Sequence, residues 1–221
     1  MEESESNTIT RPESIGDQVY RELRRRLRSG VYPPLQRLTE TGLASALGVS
    51  RTPVREAIGA LTRIGLLVPH AGGGVMVPEL APVDVEEIFE ARSVIEPYVA
   101  EVAAERHSDE QRQVLEEALA REVESVEKDE VSEFIEANAA FRDAVFEMAG
   151  NTRLGLCTEV FREHIHIVRR ITLGDPAVRQ IALEGHQRLF EAISRRDGLA
   201  AREAMRIQLV HALEQLKRAL D

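Results

Sequence analysis

The sequence predicts a mainly α protein built in two parts, an N-terminal winged helix-turn-helix followed by an all-α antiparallel helical bundle. Three observations lead to this reading. Apolar residues recur at helical spacing through most of the 221 residues. Two short apolar runs, Gly65-Leu66-Leu67-Val68 and Val75-Met76-Val77, flank HAGGG and read as a hairpin with a flexible tip. Charge is also unevenly divided: residues 11–78 hold ten Arg against five acids, a balance of +5, whereas residues 79–221 hold 18 basic against 30 acidic residues, a balance of −12.

Composition bounds the rest. One cysteine, Cys157, has no partner for an internal disulfide, which predicts a reducing compartment and a buried structural thiol. No apolar run approaches the roughly 20 residues that span a bilayer, and the acidic start MEESESNTIT lacks the features of a secretory signal. A cytoplasmic, soluble protein is expected. A basic module joined to an acidic one carries the electrostatic footprint of a polyanion-binding unit, although five net charges alone also fit a solvated surface.

In chain order, Ile15, Val19, Leu23 and Leu27 predict a helix over residues 14–29 that stops at Gly30. A short helix over residues 39–47 follows, with Leu43, Ala44 and Leu47 on one face. Gly48 and Val49 make the turn, and Ser50 caps a third helix reaching about Ile64, with Val54, Ala57, Ile58 and Leu61 turned inward. Two helices joined by a tight glycine turn, then a hairpin, make a winged helix-turn-helix over residues 11–78. Pro78 and Pro82 bracket a linker over residues 79–83, and Asp84 is placed to cap the next helix. Helices are then expected over residues 84–106, 109–128, 130–149, 152–173, 176–196 and 198–220, with Asn151, Asp175-Pro176 and Asp197-Gly198 at three junctions.

The stretch SRTPVREA supplies the first functional candidates. In a winged helix-turn-helix the start of the second helix of the pair faces base edges in the major groove. Ser50, Arg51, Thr52 and Arg55 stand there, and Arg51 and Arg55, four apart, share one helix face. The planar guanidinium fork matches guanine O6 and N7. Pro53 falls in the first turn, where its missing N–H costs nothing. The alternative is that both arginines are ordinary surface residues, Arg55 pairing with a nearby Glu.

With VYRELRRRLRSGVYPPLQRLTE before it and a Gly-rich wing ending in VMV after it, LASALGVSRTPVREAIGALTRIGLL resembles the DNA-binding module of the GntR family of bacterial transcription regulators. The resemblance covers about residues 14–78. It implies DNA contacts by Arg51, Thr52 and Arg55, with Ser50, Arg37 and the wing glycines Gly72 and Gly73 near phosphate or minor groove. Pro33-Pro34 stands where the family has Pro-Gly, and Gly59 interrupts the recognition helix at a cost of about 1 kcal/mol of helix propensity. The remainder, through RSVIEPYVAEVAAE, NAAFRDAVFEMAGN and EGHQRLFEAISRRDGLAAREAM, resembles the FadR-type all-helical effector-binding and dimerising domain.

Many members of that branch hold a metal through an Asp and a His four apart plus one His from each of two later helices. The matching positions are Asn138, Arg142, His186 and Gln208, of which only His186 is a ligand type. Arg does not ligate. His211 lies three residues past Gln208, about 300° of rotation, and is expected on a different face. No cofactor is expected, and a metal ion is not expected either.

Periodicity points to another use of these positions. Arg92, Asn138, Arg142, His164, His186 and Gln208 all sit on apolar stripes, which predicts that they converge inside the bundle. Such a pocket is electropositive, so the expected effector is a small anion, a carboxylate or phosphate ester held by Arg92 and Arg142. The alternatives are that Arg92 pairs with Glu96 and His186 is a satisfied core histidine, or that a metal still mediates effector binding there. His164 and His166 point to opposite sides, and the many Glu between residues 110 and 136 read as a solvated face.

The expected function is a ligand-responsive regulator, a repressor that binds a palindromic operator as a homodimer. An enzyme on a di-metal bundle would need Glu-x-x-His on each of two helices, which the sequence does not hold. An architectural DNA-binding protein would not need inward-facing Arg and His.

Overall fold

Residues 14–79 and 81–220 are described by the structure, a computed structural model, so the expected domain start at Arg11 lies outside the described residues. The chain divides into two compact units between Glu79 and Leu80.

The first unit begins with α1 (Ile15–Arg28), which Ser14 caps by accepting from the Asp17 N–H. It buries Val19, Leu23 and Leu27 and packs along α3. Strand β1 (Arg37–Leu38) precedes α2 (Glu40–Leu47), whose first turn is closed by the Thr39 hydroxyl accepting from the Gly42 N–H. At the end of α2, Gly48 adopts φ 68, and its own N–H and that of Val49 return to the Ser45 and Ala44 carbonyls. This is the Schellman ending that a left-handed residue permits, and it sets up the tight turn into α3 (Arg51–Arg63). Ser50 occupies the N-cap position of α3, but contrary to expectation its side chain makes no cap hydrogen bond. The backbone already has the extended geometry a cap needs (φ −71, ψ 166), so the helix begins there without it.

The wing has one strand more than the sequence predicts. Strands β2 (Val68–Pro69) and β3 (Val75–Met76) form the expected hairpin, and β1 adds to the other edge of β3, giving the order β1-β3-β2. Arg37 lies opposite Met76, and Leu38 opposite Val75. A two-residue strand is too short to show alternation in a sequence.

In the second unit, α4 (Pro82–Arg106) starts at Pro82, so the expected linker over residues 79–83 is shorter than predicted. Asp84 sits at the third helical position and accepts the Ala81 N–H from there, rather than standing at the N-cap itself. Proline is tolerated in the first turn because its missing donor is unpaired anyway. Pro97 stands inside α4 without ending it.

Helices α5 (Asp109–Glu127), α6 (Val131–Ala149), α7 (Thr152–Thr172), α8 (Pro176–Ser194) and α9 (Gly198–Leu220) follow, each within two residues of the predicted bounds. Ser108 and Gln111 form a reciprocal capping box at α5. Asn151 and Asp175 cap α7 and α8 through their side chains. α4 packs along α9 and α6, α5 against α6 and α8, and α8 against α9. Phe134, Phe141, Leu115, Leu189, Ile193, Met205 and Leu216 fill the core. Among the described residues no helix is long and apolar enough to cross a membrane.

Two expectations fail here. Cys157 is exposed rather than buried: it is in line with Phe161, Ile165 and Val168, but it lies in the first turns of α7, where Arg153 and Leu156 are exposed too. The acidic stretch over residues 110–136 is not uniformly solvated, since Glu122 is fully buried in line with Leu115, Ala118 and Leu119.

Gly59 is exposed, and an added Cβ would meet nothing within 4 Å. Gly59→Ala therefore adds helix propensity without a clash and should stabilise the N-terminal unit by about 1 kcal/mol, read as a later urea midpoint.

Candidate functional site

The start of α3 presents Ser50, Arg51, Thr52 and Arg55 to solvent, all exposed as expected. Neither arginine is unpartnered. Arg55 donates through Nε and Nη2 to the Glu40 carboxylate, both at 2.9 Å, and Arg51 donates through Nη2 to the same carboxylate at 3.0 Å. These bonds, Arg55's first and Arg51's second, hold the Glu40 carboxyl at about 2, so it is ionised at any physiological pH. The expected pairing of Arg55 with a nearby Glu exists, therefore, and includes Arg51. Arg37 is also engaged: its Nε donates to the Gly73 carbonyl at 2.9 Å and its Nη2 to the Gly72 carbonyl. The Gly72 N–H in turn donates to His70 Nδ1 at 3.0 Å. Arg37 thus braces the wing tip, and Gly72 and Gly73 are the carbonyls it holds.

The second candidate is a cavity of about 60 Å³ inside the bundle. Side chains from five helices line it: Phe89 and Arg92 from α4, Asn138 and Arg142 from α6, Ile165, Val168, Arg169 and Thr172 from α7, Ala182 and His186 from α8, and Gln208 and His211 from α9. Five of the six expected residues, Arg92, Asn138, Arg142, His186 and Gln208, thus meet at one cavity. His164 does not line it; on α7 that place belongs to Arg169, one turn beyond Ile165. His211 does line it, contrary to expectation, because the roughly 60° between His211 and Gln208 is too small to leave a cavity wall formed by one helix.

The electrostatics of the cavity turn on Glu96, which is 1% exposed. Arg92, one turn earlier on α4, donates through Nε to Glu96 Oε1 at 2.7 Å. From α6, Arg142 pairs with Glu96 Oε2. Burial pushes the Arg92 guanidinium down to about 9, still cationic at neutral pH, and it also lies 4.5 Å above the Phe89 ring. The pairing of Arg92 with Glu96 weighed from the sequence is therefore present, and the same carboxylate also pairs with Arg142.

On the opposite wall, His186 Nδ1 lies 2.7 Å from Glu122 Oε1 on α5 and its ring stacks on Phe141 at 4.1 Å. Asn138 Nδ2 is 3.5 Å from the same Nδ1. Gln208 donates to the Ala182 carbonyl at 3.4 Å and packs on Gly185, where a Cβ would collide with it.

These side chains do not suit a divalent ion. Arg142 puts a guanidinium at one of the four family positions, Asn138 and Gln208 offer neutral amides, and His186 Nδ1 faces Glu122. Among the described residues, no group of three or more His, Cys, Asp or Glu is arranged to hold a metal.

The sequence reading weighed Glu96 only as a partner of Arg92, and it missed Glu122 and Arg169. Glu122 lies in line with Leu115, Ala118 and Leu119, so an apolar stripe on α5 could have found it, but the surrounding acids read as a solvated face.

An exposed recognition-helix start with a wing, joined to a helical unit with a polar internal cavity, defines a one-component DNA-binding regulator. Comparison with known proteins agrees. Residues 15–77 match the model of the bacterial regulatory proteins of the gntR family, and residues 87–217 match the FCD domain. An uncharacterized HTH-type transcriptional regulator of Bacillus subtilis, YdhC, is 28% identical over 205 residues, 92% of each chain. The HTH-type transcriptional repressor RspR of Escherichia coli is 27% identical over 203 residues, 92% of this chain and 89% of that one. The solved structure of E. coli McbR/YncC shares the fold, with a TM-score of 0.81 at 23% identity over 95% of this chain and all of that one. The chain belongs to the GntR family of HTH-type transcription regulators, with an FCD domain as its C-terminal unit, and this family is one of regulators rather than enzymes.

Removing the shared counter-ion isolates its contribution. Glu96→Gln leaves two buried guanidiniums facing a neutral amide and should destabilise the bundle by about 3–5 kcal/mol. Urea unfolding followed by helical circular dichroism reads this as a markedly earlier bundle transition; an unchanged midpoint would show that Glu96 is dispensable.

Proposed function

We propose that the protein is a cytoplasmic, ligand-responsive repressor that binds a palindromic operator as a homodimer and senses a small anion, a carboxylate or phosphate ester, in the cavity of its FCD domain. The observation that carries the effector reading is the buried Arg92–Glu96–Arg142 cluster at the cavity wall. Two guanidiniums in a low-dielectric wall offer directed, charged N–H donors, and these suit a carboxylate or phosphate oxygen better than a neutral ligand. Asn138, His186, Gln208 and His211 on the other walls offer hydrogen bonds to the remainder of the ligand. A cavity of about 60 Å³ accepts only a small molecule unless its walls open on binding.

Base contacts by Arg51 and Arg55, supported by Ser50, Thr52 and the wing, fit the exposed end of α3. Two such modules in a dimer read half-sites related by the dimer axis. Control follows by population shift: the anion changes operator affinity by as much as it binds one arrangement of the dimer better than another. The repressor assignment draws on RspR, whose description names it a repressor.

A thermal-shift screen of mono-, di- and tricarboxylates and phosphate esters tests the effector. At about 100 times its Kd a ligand stabilises by about 2.7 kcal/mol, so at least one should raise Tm by several degrees and alter binding to operator DNA. Arg142→Ala, compared with its own ligand-free baseline, should lose that shift; a variant that keeps the full response rules out the arginine anchor.

A further inference from the structure

An acidic residue stands among the cations at the presumed DNA-reading surface. Glu40 is the first residue of α2, and three N–H groups, two from Arg55 and one from Arg51, converge on its carboxylate. Fold stability does not explain this arrangement. Arg51 and Arg55 are 61% and 64% exposed at the side chain, and ion pairs this open to water contribute little. A carboxylate beside the DNA-facing cations also opposes phosphate binding, since affinity for any duplex follows the neutralising charge a protein presents. Its effect must lie elsewhere.

The geometry supplies one. Arg55 donates from its Nε edge to both oxygens of Glu40, a fork-on-fork pair that fixes the guanidinium plane and leaves three of its five N–H donors directed away from Glu40. Arg51 uses one donor on Glu40 Oε2 and keeps four. Two long, exposed side chains that would otherwise sample many rotamers are held with free donors before any DNA arrives. Such pre-organisation lowers the ordering cost of contacts that need one orientation. Bidentate pairing to guanine needs one; attraction to phosphate does not.

We propose that Glu40 is a specificity-determining positioning residue: it orients Arg51 and Arg55 for base readout and at the same time weakens sequence-independent binding. This rests on the reading that the two arginines contact bases. Glu40 sets the ratio of specific to non-specific binding through the arginines rather than by touching DNA.

The test uses the full-length protein and two probes, a duplex selected from a random-sequence pool by the wild-type protein and poly(dI-dC). Glu40→Gln keeps size and removes charge. It should bind poly(dI-dC) more tightly while its preference for the selected duplex falls at least about fivefold, the low end of one bidentate contact. Retained poly(dI-dC) binding also reports a folded module. In an Arg51→Ala/Arg55→Ala background, Glu40→Gln should leave the preference unchanged, because the effect passes through those side chains. An unaltered preference in the single variant, a parallel change in both affinities, or a persistent effect in the double-alanine background would each overturn the assignment while leaving the regulator reading intact. If the wild-type protein selects no duplex, the base-readout premise itself fails, and the proposal with it.

Discussion

The buried carboxylate of Glu96 is the interaction on which the FCD unit depends. Burying a guanidinium without a counter-ion is prohibitive, and two of them, Arg92 and Arg142, lie 2% and 8% exposed in the same wall. Glu96 makes that possible by accepting from Arg92 and forming an ion pair with Arg142, tying α4 to α6 beside the cavity. A hydrocarbon replacement of the cluster would pack at least as stably, since buried ion pairs seldom exceed apolar substitutes. What such a core would lack is guanidinium donors at the cavity wall, the groups on which the proposed anion reading rests.

A second carboxylate works in the same way on the opposite wall. Glu122 holds His186 by one ring nitrogen while Phe141 stacks on its face, so the imidazole has a fixed orientation before any ligand enters. Glu40 repeats the device at the surface, with two arginines of the recognition helix and a more open setting. In each place an acid aligns a cationic or polar side chain whose remaining donors face a partner. The cost differs with burial: inside the bundle removing the acid would strand a buried cation, whereas on α2 the pair is open to water and contributes little to stability.

Most of the fold was legible because helical periodicity and caps are local. Ser14, Thr39, Ser108, Asn151 and Asp175 each close a first turn through their own side chain, and each stood at a predicted boundary. The strand at Arg37–Leu38 was not legible, since its pairing with Val75–Met76 depends on residues far along the chain. Asp84 was seen as a capping residue, but it accepts the Ala81 N–H from the third helical position rather than standing at the N-cap, because Pro82 begins the helix two residues earlier than expected.

The sequence by itself determined which polar residues the fold brings to the surface or together: the exposed arginines at the start of α3, and five polar side chains on apolar stripes that do meet at one cavity. It could not choose their partners. Whether Arg92 would face a ligand or Glu96 and whether Arg169 or His164 would fill the α7 wall were decided by how the helices rotate against one another, a few tens of degrees that no single stripe records, and whether Cys157 would be covered by how far along α7 the packing extends. The sequence reading weighed Glu96 only as a partner of Arg92 and placed Glu122 on a solvated face. Only the assembled bundle shows that each stands beside a group needing it, since the energy of a buried charge is a property of the pair and not of the residue.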